Sequence, residues 1–275
     1  MPLSNLPEEI EAYRDRTWCR EPESRIENAY AAERFIESIG FCAGLTDARR
    51  AGPSLFIAVC GRRDAYLPRN VQKDPESSLT WVLKDEIMRR GNVYYGKLAK
   101  NRTMFIARRL IPSFHALWGM PRKNESDLLS PGARAVLKVL RKEWEMASRD
   151  LQHASGIKDR SQFVRVMDEL QRSLKIIPSE GVYEPSFTYI WTVPEARFPE
   201  ELTKHVTREF ALRELAQAYL TASGMTVRGE LARVTGLSAP EAGLGNWALV
   251  DDGFARRLAP GVYMLSDLAF SGTNQ

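Results

Sequence analysis

The run SPGARAVLKVLRKEWEMASRDLQHASGIKDRSQFVRVMDELQRSLKIIPSEGVYEPSFTYIWTV spans Ser130 to Val193, and its spacing divides it into three helices and a hairpin. Ser130 offers an oxygen to cap free N–H groups, and Pro131 needs no N–H at the first helical position. Ala133, Leu137, Leu140 and Trp144 follow at helical spacing and predict one apolar face. A short second helix is expected from Ser148, carrying Leu151 and Ala154 inward and closing at Gly156, where a left-handed residue costs little. Asp159 with Gln162 three residues on resembles a capping box, and Phe163, Val166, Met167 and Leu170 form the inner stripe of a third helix. Lys158, Gln162, Arg165 and Glu169 fall on another face. Beyond Arg172, Leu174 to Val182 and Phe187 to Val193 turn β-branched and aromatic, with Phe187, Tyr189 and Trp191 alternating at period two about the turn Glu184-Pro185-Ser186. Three helices and a hairpin in that order make a winged helix. Such a unit serves DNA contact, and it also serves simply to bury a small core or to bind another protein.

The same plan returns downstream. Asp150-Leu151-Gln152-His153-Ala154-Ser155-Gly156-Ile157 is echoed eighty residues later by Glu230-Leu231-Ala232-Arg233-Val234-Thr235-Gly236-Leu237. Before the echo, Leu212, Leu215, Ala216 and Tyr219 line a first helix, with Thr226 as the expected cap of the second. After it, Ser238 and Glu241 make a capping box with Pro240 in the first turn of a helix running through Leu244 and Ala248. Phe254 to Leu258 and Val262 to Leu265 form a hairpin about Ala259-Pro260-Gly261.

Upstream, Ala32, Phe35, Ile36 and Ile39 recur at helical spacing up to Gly40. Leu55 to Val59 leans to helix. Ser78 to Arg90 predicts a helix with Leu79, Val82, Leu83 and Ile87 inward. Val93 to Tyr95 and Met104 to Ala107 read as strands joined by a basic tip with Lys97, Lys100 and Arg102. The expected fold is therefore mainly α with small β-hairpins, an α+β class built of tandem winged helix-turn-helix repeats, three in number. The expected divisions are an N-terminal arm over 1–28 with one short helix near Glu8 to Arg16, then winged-helix units over 29–124, 125–198 and 199–275. Ile111 to Asn124 reads as a packed linker.

With 275 residues and 44% hydrophobic content the chain can bury more than one core. It has no basic start followed by an apolar run and no stretch near the length of a membrane span, so a cytoplasmic protein without membrane contact is expected. Cys19, Cys42 and Cys60 are odd in number, and His115, His153 and His205 stand far apart, so neither disulfides nor a metal is expected, and no cofactor motif occurs. The net charge of +4 is mild, but residues 62–109 hold twelve Lys/Arg against five Asp/Glu, a net +7 that leaves the remainder at −3. A basic segment on a near-neutral body is the footprint of a phosphate-backbone partner, and equally that of a solvated surface. Candidate contacts to double-stranded DNA are Arg62, Arg63, Arg69, Lys97, Lys100, Arg102, Lys158, Arg160, Gln162, Arg165, Arg228 and Arg233.

Three stretches carry a family resemblance: Phe210-Ala211-Leu212-Arg213-Glu214-Leu215, Gly229 through Leu237, and Gly261-Val262-Tyr263. With them the chain resembles the tandem winged-helix proteins related to the AlkZ-like bacterial DNA glycosylases, over most of Ala29 to Leu265. The resemblance implies three winged helices curved around duplex DNA and, for active members, release of alkylated or crosslinked bases by hydrolysis of the N-glycosidic bond. It also implies a glutamine-x-glutamine type motif just after an Ile/Leu-Gly helix end, where it holds the attacking water. The corresponding stretch is Ile39-Gly40-Phe41-Cys42-Ala43-Gly44-Leu45, which has no glutamine. No catalytic residue carries over, and the chain resembles the AlkZ-related branch, the same scaffold without that motif. Should another side chain place water, Asp47 and Asp85 are the nearest candidates, although an acid beside basic residues is more often an ion-pair partner.

The first expectation is a monomeric, non-catalytic DNA-binding protein. A divergent DNA glycosylase of DNA repair is the second. A protein-binding scaffold anchored by Trp118, Trp191 and Trp247 is the third.

Overall fold

The computed structural model describes residues 6–98 and 102–268. After helix α1 (Glu8–Thr17), one element order occurs three times. In the first unit α2 (Ala29–Ile39) leads into β1 (Phe41–Ala43), α3 (Leu55–Cys60), α4 (Pro75–Arg90) and the hairpin β2 (Tyr94–Lys97) and β3 (Thr103–Ile106). Two connecting helices follow, α5 (Ile111–Trp118) and α6 (Glu125–Leu128). The central unit is α7 (Pro131–Glu143), β4 (Glu145–Ala147), α8 (Ser148–Ala154), α9 (Arg160–Arg172), β5 (Ile177–Val182) and β6 (Thr188–Thr192). Past the short α10 (Pro199–Thr203), the last unit is α11 (Arg208–Ser223), β7 (Met225–Thr226), α12 (Glu230–Thr235), α13 (Ala239–Asp251), β8 (Ala255–Ala259) and β9 (Val262–Leu265). In each unit the short strand joins the hairpin as an antiparallel three-stranded sheet with the last strand in the centre. The molecule is thus mainly helical with small antiparallel sheets.

Local chemistry explains these limits. Ser130 and Asp159 accept the Ala133 and Gln162 N–H groups and cap α7 and α9, and Ser238 with Glu241 completes a reciprocal capping box on α13. Helix α4 begins at Pro75, three residues ahead of the expected Ser78, because Asp74 accepts the Ser77 N–H and so supplies an earlier cap. Gly156 and Gly236 close α8 and α12 at φ +73° and +84°.

Several expected positions are corrected. Trp144 ends α7 at φ +67° and is turned outward, 58% exposed, because α7 stops one residue before it. Ala154 and Leu244 are exposed, at the surface of α8 and α13. Thr226 lies in β7, and α12 starts instead from Gly229, with the Glu230 carboxylate accepting the Val227 N–H at 3.1 Å. Val82 is 60% exposed; the buried face of α4 runs through Thr80, Leu83, Lys84 and Ile87. The expected linker 111–124 contains α5, whose Ile111 and Phe114 are buried against the last unit.

The first sheet is buried on both faces. Cys42, Tyr95 and Phe105 point into a core with α2, α3 and α4, while Phe41, Tyr94, Met104 and Ile106 point into a second core with α5 and α11. The first and last units therefore share one apolar interior, which Leu174 and Ile177 of the central unit also enter, and the central unit has a further core of its own, from Leu129 through Leu140 to Trp191 and Val193. The segment expected as an arm is docked. The buried Arg14 of α1 bonds to both Glu230 oxygens at 3.0 and 3.1 Å and to the Met225 carbonyl at 2.7 Å.

Candidate functional site

The hairpin of the first unit meets the hairpin and α9 of the central unit along a cleft with two adjoining cavities, of about 250 and 270 Å³. Tyr95, Lys97, Thr103 and Tyr189 line both. The wall from the central unit comes from strand alternation: Phe187, Tyr189 and Trp191 share one face, ring edges meeting ring faces at centroid distances of 5.0 and 5.6 Å. Trp191 Nε1 donates to Ser148 Oγ at 2.8 Å, and that hydroxyl donates to the Tyr189 carbonyl at 3.1 Å, which fixes the ladder. The opposite wall is the cross-strand pair Tyr95 and Phe105, with centroids 4.8 Å apart. Burial drives the Tyr95 hydroxyl pKa well up, so it stays neutral.

Helix α4 closes the first cavity with Thr80, Trp81 and Lys84. Lys84 is 5% exposed. Its ammonium sits 4.1 Å from the Trp81 ring centre and 5.1 Å from that of Tyr189, donates to the Tyr189 hydroxyl at 3.0 Å, and pairs with Asp85 at 2.8 Å. A cation taken from water is compensated here by ring faces and a carboxylate.

Of the two carboxylates considered for chemistry, Asp85 stands behind Lys84 and accepts the Tyr183 hydroxyl; burial and that bond raise the Tyr183 pKa. Asp85 lines neither cavity. Asp47 is bound by the Arg49 guanidinium, which holds its carboxyl below the usual range, and by the Leu67 N–H at 3.2 Å. It shapes the loop before α3 and also lines neither cavity. Gly44 and Leu45, at the position where the resemblance implies a glutamine motif, line the first cavity and bring no carboxamide to it.

The cationic candidates separate into groups. Arg62 is held by Glu76, and Arg63 by Asp15 and Glu8, so both tie the loop after α3 to neighbouring elements. Lys97 pairs with Asp168 at 3.0 Å and docks β2 on α9. Lys100 lies outside the described residues. Arg69, Lys158, Gln162 and Arg165 are exposed, the last two on the outer face of α9. Arg160 lines the second cavity, its guanidinium 5.7 Å from the Phe163 ring centre.

Arg102 reaches the backbone of the segment that carries Arg228 and Arg233. Arg102 donates to the Arg233 carbonyl at 2.6 Å, and Arg233 donates to the Arg228 carbonyl at 3.2 Å. Burial and the neighbouring charge of Arg50 lower the Arg102 pKa. Among the described residues, none of Arg50, Arg102, Arg228 and Arg233 has a carboxylate within ion-pair distance. Thr103, next in sequence to Arg102, lines the cleft, whereas none of these four arginines lines either cavity.

Arg50, Trp81, Lys84 and Tyr95 are absent from the sequence-derived candidates. Trp81 and Lys84 are spaced i, i+3 and hence share a helix face, a signal hidden by the apolar stripe through Leu79 and Val82. Trp191 is buried and Trp118 half-buried, leaving Trp247 as the exposed member of the three anchor candidates, under the Arg257 guanidinium at 4.9 Å. Among the described residues there is no group of three His, Cys, Asp or Glu placed to hold a metal ion, and no helix is long and apolar enough to cross a membrane.

A family model described as AlkZ related matches residues 26–225. In structure the chain is similar to the Streptomyces sahachiroi DNA glycosylase AlkZ, with a TM-score of 0.58 and 13% identity over 94% of this chain and 69% of that one. No curated protein sequence matches the chain.

Proposed function

The chain belongs to the AlkZ-related family, and on that premise we propose that it is a duplex-DNA-binding protein of DNA repair that works without the glutamine chemistry of the active glycosylases. Each α-β-α-α-β-β unit is read as a winged helix, three in tandem over 29–124, 125–198 and 199–275. The observation that carries the proposal is the unneutralised pair Arg50 and Arg102, with Arg228 and Arg233 exposed on the neighbouring segment of the last unit. Arg102, partly buried, lies close enough to Arg50 for the two charges to repel, has no carboxylate in ion-pair reach among the described residues, and bonds across to the Arg233 carbonyl of the last unit. An arrangement with that cost is explained by an anionic partner, and a phosphate backbone supplies regularly spaced anions. Lys158 ahead of α9 and Gln162 and Arg165 on it offer exposed polar groups from the central unit, and Arg69 adds a further exposed cation.

Binding to plain and N7-alkylated duplexes at several salt concentrations, with base release followed in the same tubes, tests the proposal. Affinity is expected to fall with salt by about 0.9 in log K per log salt for each phosphate neutralised, and R102A and R233A each to make that slope shallower by about 1. Salt-independent binding overturns the reading. No base release is expected; its appearance would make the chain a divergent glycosylase, with D47N and D85N the first variants to assay.

A further inference from the structure

The cavity beside Lys84 has features that a phosphate-binding surface does not need. Its lining holds Trp81, 37% exposed, and Tyr189, together with the buried Tyr95 and Phe105, and every nucleobase has a π-face that stacks on an open ring such as Trp81. It is also charged inside. An ammonium has three N–H groups. One of those of Lys84 is donated to the Tyr189 hydroxyl at 3.0 Å, and the ammonium lies 2.8 Å from Asp85 as an ion pair, which leaves it donor capacity toward the cavity it lines. Asp85 lines neither cavity, so a molecule entering meets the ammonium and not the carboxylate. Arg102 is the sequence neighbour of Thr103, which lines the cavity, so the cation and the cavity belong to the same hairpin.

Resting on the DNA reading above, we infer that this cavity takes an unpaired guanine, stacked on the aromatic wall with its O6/N7 edge toward Lys84, and turns away guanine alkylated at N7. The chemistry works on both sides. Guanine offers two adjacent acceptors, the edge that lysine and arginine address most often. Alkylation at N7 removes one acceptor and places a positive charge on the ring. Lys84 already fills the cation-attracting faces of Trp81 and Tyr189 with its own ammonium, so a second cation meets repulsion where an acceptor meets a donor. The cavity discriminates by charge. It selects for the unmodified base.

The test compares three duplexes, each with one single-nucleotide bulge: guanine, 7-methylguanine, or an abasic site. Their affinities for the full chain are measured by fluorescence anisotropy at one salt concentration. Wild-type protein is expected to bind the guanine bulge about tenfold or more tighter than the abasic one, the scale of one stacked and hydrogen-bonded base. The 7-methylguanine bulge is expected to bind no tighter than the abasic one. This ranking needs no variant. The double substitution K84M/D85N removes the ion pair as a unit and is expected to bring the two base-bearing bulges to equal affinity. Equal binding of guanine and abasic bulges, or tighter binding of 7-methylguanine, overturns the inference and leaves DNA binding standing. Failure to bind any duplex in a salt-dependent manner overturns the DNA reading itself.

Discussion

Glu125 shows how single charges hold this molecule together. Burial alone would raise its carboxyl pKa, but hydrogen bonds from Arg141 and Lys175 outweigh that and hold it at about 2. The three side chains join α6, α7 and the approach to β5, with Lys175 itself buried at 2.6 Å from the carboxylate. Because the folded value lies below the ordinary 4.5, the stabilisation is fully present above that pH and is lost as pH falls through about 2. It amounts to about 3 kcal/mol. Urea unfolding of wild type and E125Q is expected to show a gap in stability at pH 6 that narrows steadily from pH 4.5 downward. A gap that does not change with pH would mean that the carboxyl binds its proton equally well in the folded and unfolded chain, against the lowering described. Lys84 belongs to the same scale and was hidden in the sequence for the same reason. A lysine in a helix reads as solvent-facing until another unit is known to place Tyr189 and Phe187 rings around it.

Among the elements, α9 was the most legible. Its cap and inner stripe follow from residues close in sequence, and the structure has Asp159 bonded to the Gln162 N–H at 2.7 Å with Phe163, Val166, Met167 and Leu170 buried, while Glu169, expected on the outer face, accepts the Ser130 N–H and hydroxyl at 2.7 Å instead. The eighty-residue echo was equally readable, since α8 and α12 are built by the same local pattern. Helix α4 was misread because its buried face is set by two partners at once. Leu83 and Ile87 serve a core, while Thr80 and Lys84 serve a cleft, and no single apolar stripe describes both. The orientation of Trp144 depends on where α7 stops, which spacing alone does not fix. At α9, cap and charge can be separated. D159A is expected to cost about 1 kcal/mol of stability through the lost cap. D159N keeps a capping oxygen and removes an acid from a face proposed to lie on phosphates, so it is expected to hold stability and to raise duplex affinity modestly. Parallel loss of stability and affinity in both variants would speak against α9 on the backbone.

For the whole molecule, the units are not beads on a string. The sheet of the first unit lies between its own helices on one side and α5 and α11 on the other, with Phe41 against Phe114 and Tyr219 at centroid distances of 5.6 and 6.3 Å. Repeats announce themselves in sequence through periodic residues, whereas the packing of one repeat on another is carried by residues such as Phe41 and Tyr219 that read only as core. The Arg14 to Glu230 pair is a further case: its partners come from opposite ends of the chain, and a buried glutamate left without its arginine is a severe loss. A chain ending at Phe198, which keeps two complete repeats, is therefore expected to aggregate or to unfold at markedly lower urea than the full protein. Near-native stability of that fragment in urea unfolding would contradict the shared core.

That shared core has a meaning in time. During synthesis the first sheet is finished once Ile106 has emerged, but α11, which covers its second face, begins only at Arg208. At usual translation speeds of about 5–20 residues per second, Phe41, Tyr94, Met104 and Ile106, with only α5 at hand, wait on the order of 5–20 s for the rest of their cover. The central unit, with a core of its own, can fold within that interval beside them. The newborn chain therefore passes through a state with one closed unit and one open, sticky sheet, and the last unit to be made is the one that seals the first.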